Sequence, residues 1–143
     1  MYLVSACLAG VNCRYDGKDS ADERVMELVN QGRAIPVCPE QLGGLSTPRI
    51  SCERVNQPGD KKIINKEGND RTEEFRLGAE RTLAIAKALG IKKAIMKSKS
   101  PSCGCGQIYD GTFSGTLIQG NGIAVELLLR SGIEVITEKD LPL

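Results

Sequence analysis

The segment Tyr2-Leu-Val-Ser-Ala-Cys7 is a short apolar run that ends in a cysteine. The same pattern recurs at Ala34-Ile-Pro-Val-Cys38, and the run from Ile91 to Met96 is followed a few residues later by Cys103. If these runs are neighbouring parallel strands, their carboxyl ends meet at one edge of one sheet, where open α/β sheets bind their ligands. The three runs therefore predict an α/β fold that gathers three thiols at that edge.

Helix signals separate the apolar runs. Ser20 and Glu23 form a predicted capping box that opens a first helix. Asp70 and Glu73 repeat this signal for a second helix, and a third is predicted over 122–130. Strands and helices that alternate in this way predict a mostly parallel sheet with right-handed crossovers and helices on both faces.

The length of 143 residues is enough for one hydrophobic core. We expect residues 1–143 to form a single three-layer Rossmann-like domain, with long loops at the carboxyl edge of the strands. A last strand is predicted from Ile133 to Ile136. The insertion from Glu53 to Asn69 is expected to hold a small hairpin, with turn signals that include Asn-Gln-Pro-Gly-Asp at 56–60.

The composition excludes several classes of protein. The chain has no histidine, which rules out Ser-His-Asp triads, Cys-His pairs and zincin helices. Its net charge of +1, from 19 basic and 18 acidic residues, gives no electrostatic footprint for tight nucleic-acid binding. Without a leader-like or membrane-length apolar run, we expect a cytoplasmic protein with no membrane partner. Six cysteines in that compartment indicate metal or redox chemistry rather than structural disulfides.

Three converging thiolates without histidine indicate a soft-metal site. Zinc in a structural role needs a fourth ligand, which Cys13 or Cys105 could supply. An iron-sulfur cluster held by three cysteines instead leaves one iron open as a Lewis acid. Spacing alone does not decide between the two metals, because the sequence lacks a C-x-x-C element. Cys52 has no predicted role, and the Cys103-Gly-Cys105 pair could also form a reactive thiol pair.

Glu40 is the best-placed carboxylate, because it follows Cys38 by two residues. A glutamate beside a metal-bound thiolate can act as a general base toward water, and it can equally brace a loop. Further polar candidates in the loops are the hydroxyls of Ser98, Ser100 and Ser102 and the guanidinium groups of Arg14 and Arg49. The hydroxyls could donate hydrogen bonds or cap turns, and the arginines could hold a planar or anionic ligand or offset the charge of a cluster.

Three long motifs resemble one known family. They are Ser5-Ala-Cys7-Leu-x-Gly10 followed by Arg14-Tyr-Asp-Gly17, Val37-Cys-Pro-Glu40 with Gly43-Gly-Leu-x-Thr-Pro-Arg49, and Lys97-Ser-x-Ser-Pro-Ser-Cys103-Gly with Tyr109-Asp-Gly-Thr-Phe113. In this order the motifs are similar to those of the thiouracil desulfidase family, long catalogued as a bacterial domain of unknown function. The resemblance covers the chain from Ser5 to about Gly132.

The resemblance implies an enzyme with a [4Fe-4S] cluster bound by three cysteines. Its open iron takes the sulfur of a thiocarbonyl, which hydrolysis releases without a redox change. On this sequence the implied cluster ligands are Cys7, Cys38 and Cys103. The implied acid/base is Glu40, and the implied assisting hydroxyl is Ser100. Candidate substrate-binding residues in the same motifs are Arg14, Asp16, Arg49 and Ser98.

The implied substrate is a small thiolated pyrimidine, namely thiouracil or its nucleoside or nucleotide, and the implied second product is hydrogen sulfide. Longer members of the family join a second domain and act on thiolated tRNA. The near-neutral charge of this chain favours a small molecule over RNA. The alternative is a non-catalytic module, either a zinc-binding domain or a thiol-redox switch.

Overall fold

Short strands alternate with helices along the chain. The computed structural model describes residues 1–55 and 62–141. The strands are β1 (Tyr2–Ser5), β2 (Ala34–Val37), β3 (Cys52–Arg54), β4 (Ile63–Asn65), β5 (Lys93–Met96), β6 (Gln107–Tyr109), β7 (Leu117–Gln119) and β8 (Glu134–Thr137). The α-helices are α1 (Glu23–Asn30), α2 (Pro39–Leu42), α3 (Thr72–Ala88) and α4 (Ile123–Arg130), and 3-10 turns cover Ala6–Ala9 and Glu138–Asp140.

The central sheet is parallel. In the described part of the chain its strands lie in the order β2-β1-β5-β8, and each neighbouring pair runs in the same direction. Tyr2 pairs with Ala34 on one side and with Lys93 on the other. The predicted strand order along the chain is confirmed, and so is the α/β class with a mostly parallel sheet.

Side chains of β1 alternate between two cores, as the period of a strand requires. Leu3 is fully buried among residues of α3 and α4, which cover one face of the sheet. Val4, the next residue, is fully buried on the other face, where it packs in one cluster with Val25 of α1. The helices therefore form the two outer layers that the alternating pattern predicts.

The first helix begins later than its predicted capping box. Asp22 caps α1, and its carboxylate accepts a hydrogen bond from the Arg24 amide at 3.0 Å. The Ser20 and Asp22 amides are both bonded to carbonyls of the 3-10 turn after β1. These tertiary bonds fix the segment before the helix, so the Ser20 capping box was a wrong prediction. The second predicted helix is α3. It also begins after its predicted start signal at Asp70, because its first residue is Thr72, whose amide donates to the Asp70 side chain at 2.8 Å.

Two small antiparallel hairpins stand apart from the central sheet. Strands β3 and β4 form the predicted hairpin, whose predicted turn at 56–60 lies outside the described residues. Strands β6 and β7 form a second hairpin, in a polar, glycine-rich segment for which the sequence predicted no strand. No helix within residues 1–55 and 62–141 is long and apolar enough to cross a bilayer.

Candidate active site

The 3-10 turn after β1 places Cys7 at the carboxyl edge of the sheet. Cys7 is buried, with 8% of its surface exposed. Its carbonyl accepts hydrogen bonds from the amides of Gly10 and Ser20, at 3.2 and 2.9 Å. Gly10 has a φ of 90°, a left-handed conformation that suits glycine and lets the chain turn back across the strand end. The turn thus holds Cys7 through its backbone.

The short helix α2 places Cys38 and Glu40 at the same edge. Cys38 is the N-cap of this helix, and Pro39 occupies the first turn, where its missing amide proton costs no hydrogen bond. The helix contacts α3 closely at Gly43 and Gly78, where a Cβ on either glycine would collide with a backbone oxygen of the other helix. This close approach fixes α2, and with it the side chains of Cys38 and Glu40.

The loop after β5 carries Cys103 and packs on the beginning of α4. The carbonyls of Pro101 and Ser102 accept hydrogen bonds from the first amides of that helix, between 2.9 and 3.2 Å. These amides would otherwise lack partners, because the first turn of a helix has no internal acceptors for them. Cys103 is 5% exposed, so its thiol lies inside the protein. The backbone hydrogen bonds between this loop and α4 hold it there.

One cavity of about 520 Å3 brings these elements together. Its lining includes all three predicted cluster ligands, Cys7, Cys38 and Cys103, together with Glu40 and Ser100. A volume of this size is typical of pockets for small organic ligands. The parallel strands thus deliver the predicted residues to one place.

Cys13 also belongs to this group of thiols. It is 2% exposed, lines the same cavity, and lies within hydrogen-bonding reach of Cys38 and Cys7. The Cys38 contact alone would lower its pKa, but the Cys7 contact and burial raise the pKa of Cys13 to about 11. The hydrogen bond with Cys13, together with burial, raises the pKa of Cys38 as well. Burial raises the pKa of Cys103 to about 12.

The chemistry of the donor set, several cysteine thiols without a histidine, fits an iron-sulfur cluster. Tetrahedral zinc requires thiolates about 3.8 Å apart, given its bond length of about 2.3 Å. Among the residues that the structure describes, no three Cys, Asp or Glu side chains are arranged to hold one metal ion. Thiolates, not thiols, bind metals, so loading the site would release protons.

Glu40 has a partner on each carboxylate oxygen. Arg49 donates to Oε2 from Nε at 2.9 Å and from one Nη. Ser102 donates its hydroxyl to Oε1 at 3.2 Å. The Arg49 and Glu40 side chains are only 7% and 14% exposed, so this is a largely buried ion pair in which two guanidinium donors converge on one oxygen. Among the described residues, Oε1 accepts only the Ser102 bond and retains a further lone pair, and Glu40 lines the cavity.

Ser100 and Ser102 have different partners. The Ser100 hydroxyl accepts hydrogen bonds from the backbone amides of Ser102 and Cys103, at 3.1 and 3.0 Å. These two bonds occupy its lone pairs, so its remaining hydrogen bond, to the Ser102 hydroxyl, is one that it donates. Ser102 is 1% exposed, and its hydroxyl lies 3.5 Å from the Cys103 sulfur as well as against Glu40. Ser102 is therefore the serine that contacts the carboxylate, and Ser100 supports it at 3.3 Å.

Known proteins resemble this chain over almost its whole length. The family model described as 2-thiouracil desulfurase matches residues 2–140. The chain belongs to this family. It is 45% identical over 147 residues to the Bacillus subtilis (strain 168) protein YbbK, described as uncharacterized, with 99% of this chain and 97% of that protein covered. It is also similar to the solved structure of TudS, a [4Fe-4S]-dependent thiouracil desulfidase, at 43% identity and a TM-score of 0.91, covering 99% and 92% of the two chains.

The remaining predicted site residues of this desulfurase-family chain occupy three different settings. Arg14 lines the cavity, donates to Ser20 at 2.9 Å and lies 3.5 Å from Asp16. Asp16 is not among the residues that line the cavity. Ser98 lines it, and both its amide and its hydroxyl donate to Glu138, at 2.8 and 2.9 Å. The structure thus brings Arg14 and Ser98 to the site and leaves Asp16 at its side.

Sequence reasoning missed part of the site. In the sequence, Glu53 stands out only as the first residue of the predicted insertion. In the structure it is 9% exposed and lines the cavity. Phe113 was quoted only as part of a motif, and it also lines the cavity. Cys52 lines the cavity too, with its thiol pointing to the Ile50 carbonyl at 3.7 Å. Cys105 lies elsewhere, near the Val135 carbonyl at 3.8 Å.

Proposed function

We propose that this protein is a [4Fe-4S]-dependent desulfidase that replaces the thiocarbonyl sulfur of a thiolated pyrimidine by oxygen from water. The observation that carries the proposal is the cavity whose lining includes Cys7, Cys38, Cys103 and Glu40. Family membership and the likeness to TudS support the same chemistry. The proposed substrate is a small molecule, thiouracil or its nucleoside or nucleotide, which suits the cavity volume of about 520 Å3.

Cys7, Cys38 and Cys103 are the proposed cluster ligands. Each is held by the backbone of a different loop at the carboxyl edge of the sheet. When bound, the cluster supplies an open iron, a Lewis acid with affinity for the sulfur of the thiocarbonyl. Arg49, one of the cations at this site, lies close enough to Cys13 to lower that thiol's pKa, and it offsets part of the negative charge of the thiolates.

Glu40 is the proposed general base. Arg49 fixes its Oε2 and Ser102 fixes its Oε1, so the carboxylate holds one orientation beside the cavity. A water molecule bound there gives its proton to Glu40 as its oxygen attacks the thiocarbonyl carbon. The same proton is then available for the departing sulfur, so Glu40 serves as acid after it has served as base.

Ser100 is the proposed assisting hydroxyl. Since its lone pairs accept from the Ser102 and Cys103 amides, it acts on the substrate or the water only as a hydrogen-bond donor. This arrangement makes Ser100 a positioning group rather than a second base. Arg14 and Ser98 are the proposed contacts to the rest of the pyrimidine.

The reaction balances without electron transfer. One C=S bond and one water molecule give one C=O bond and hydrogen sulfide, so carbon and sulfur keep their oxidation states. We propose that residues 1–143 carry out this chemistry as one domain. A cytoplasmic location fits six free cysteines and an exposed iron, which both require reducing surroundings.

The test uses anaerobically reconstituted protein with 2-thiouracil and 4-thiouracil. We expect a broad absorption near ~400 nm and equal amounts of uracil and sulfide without added reductant. Glu40→Gln should retain the absorption and lose turnover by ~100-fold or more, the scale for removing a general base. Glu134→Gln, at an exposed carboxylate in β8, is the matched control. A colourless protein with stoichiometric zinc, or full turnover in Glu40→Gln, would overturn the proposal.

A further inference from the structure

The loop after β6 holds a phenylalanine in an unusual conformation. Phe113 has a φ of 58°, in the left-handed region that bulky L-residues rarely adopt. Residues in such conformations persist only where their surroundings impose them, and they concentrate at functional sites. The Phe113 side chain is half-buried and lines the cavity.

Glu53 imposes this conformation. A single oxygen of this nearly buried carboxylate accepts hydrogen bonds from the Gly111 amide at 3.0 Å and the Phe113 amide at 3.2 Å. Gly111 has a φ of 93° and lies against β3, where a Cβ would come within 2.9 Å of the Arg54 carbonyl oxygen. The loop is therefore anchored to β3 by two amides, one on each side of Thr112.

Aromatic side chains are concentrated at this cavity. The chain has three tyrosines, two phenylalanines and no tryptophan. Tyr15, Tyr109 and Phe113 all line the cavity, so more than half of the aromatic side chains in the protein face one pocket. Tyr15 is 44% exposed and lies beneath the guanidinium of Arg14. Phe113 is the member of this group that buried hydrogen bonds hold in place.

We propose that Phe113 stacks on the pyrimidine ring of the substrate and that Glu53 is the residue that positions it. The chemistry is that of base recognition in general, because an aromatic face stacks on any planar heteroaromatic ring. The Phe113 side chain presents only an apolar ring, so it favours a flat ligand ring. Other residues of the site recognise the sulfur. The identity of the ring rests on the proposed function.

The test measures ring binding separately from chemistry. Uracil lacks the sulfur, so its affinity by calorimetry reports on ring contacts in both cluster-free and reconstituted protein. Phe113→Gly removes the ring and relieves the positive φ, so the fold should be as stable as before or more stable. We expect uracil affinity to fall and KM for 4-thiouracil to rise about tenfold, or ~1.4 kcal/mol, while kcat changes less than KM.

Two further variants separate stacking from a structural role. Phe113→Tyr keeps the flat face and should recover most of the affinity that Phe113→Gly loses. Glu53→Ala should reduce affinity as Phe113→Gly does, because it frees the loop, and Thr112→Ala, at the exposed residue between the two anchored amides, serves as the control. Unchanged uracil affinity and unchanged KM in Phe113→Gly would overturn the inference. Ring binding that depends on Phe113 without any sulfide release would instead overturn the proposed function.

Discussion

Arg49 places every hydrogen of its guanidinium around Glu40 and the adjoining loops. Two of its five N–H groups donate to Glu40 Oε2. The other three donate to the Cys13 carbonyl, the Ser46 carbonyl and the Thr47 hydroxyl, between 3.0 and 3.1 Å. Because all five donors have acceptors, Arg49 has none left for a substrate. We infer that Arg49 orients the carboxylate. Its position in the sequence motif had instead suggested that it binds the pyrimidine.

Arg49→Lys tests this role. Lysine keeps the charge but cannot reproduce a planar, bidentate contact, so the carboxylate should lose its fixed orientation. We expect kcat to fall by roughly 10- to 100-fold, the scale for misplacing a catalytic group, with little change in KM or iron content. Steady-state kinetics with 4-thiouracil measure both constants. A raised KM with unchanged kcat would show that Arg49 binds the substrate directly.

Ser100 and Ser102, in the loop after β5, should differ in their contributions to turnover. Ser100→Ala removes both the proposed donor and the acceptor of two backbone amides, so we expect turnover to fall by ~100-fold. Ser102→Ala removes one hydrogen bond to Glu40 and leaves the Arg49 contact, so a loss of about tenfold is expected, corresponding to ~1.4 kcal/mol. Rates at saturating substrate, normalised to iron content, make the comparison. The opposite order would identify Ser102 as the assisting hydroxyl.

Cysteine replacements test the ligand set. Alanine at Cys7, Cys38 or Cys103 should abolish the absorption near ~400 nm and iron incorporation. Cys52→Ala and Cys105→Ala should load normally. Cys13→Ala should also load, because three ligands remain. A Cys13→Ala protein that stays colourless beside a normally loaded Cys38→Ala protein would show that the cluster uses a different set of thiols.

The alternation of apolar runs and helix signals was enough to predict the parallel sheet. It was also enough to bring Cys7, Cys38 and Cys103 to one edge, because parallel strands end on the same side. Those three positions follow from local periodicity and topology, which a single sequence displays. The exact start of α1 did not follow, because tertiary hydrogen bonds to the Cys7 carbonyl decide it.

The side-chain network around Glu40 could not be read from the sequence. The residues of the Glu40–Arg49 pair are 9 positions apart in the sequence, and those of the Glu40–Ser102 contact are 62 positions apart. The Glu53 contacts to the loop at Phe113 span 60 residues. Such pairs depend on how loops fold over the sheet edge, and periodicity carries no information about that. The motif around Phe113 was the only sequence signal for it.

Glu138, in the 3-10 turn after β8, is bonded to the loop after β5. Its carboxylate accepts from Lys97 Nζ at 3.0 Å and from the Ser98 amide at 2.8 Å. Burial alone would raise the pKa of Glu138, but these bonds outweigh burial and hold the pKa below its ordinary value of 4.5. The folded-state pKa is therefore lower than the unfolded-state pKa. The resulting stability is present above about pH 4.5 and is lost as the pH falls through the folded-state pKa.

Glu138→Gln should therefore lower the free energy of unfolding by about 2 kcal/mol near neutral pH. The difference between variant and wild type should shrink below about pH 4.5, where wild-type Glu138 also becomes protonated. Urea denaturation at the two pH values measures it, with exposed Glu134→Gln as the control. An equal difference at both pH values would mean that the charge of Glu138 does not carry the effect.

The central claim is that water, without an electron donor, replaces the sulfur. The most direct measurement follows turnover of 4-thiouracil in water enriched in the heavy isotope of oxygen, with no reductant, by mass spectrometry of the uracil formed. The account predicts one heavy oxygen in every product molecule and one sulfide released with it, while uracil incubated with the enzyme stays unlabelled. Turnover that requires a reductant, or uracil formed without the heavy isotope, would contradict the account.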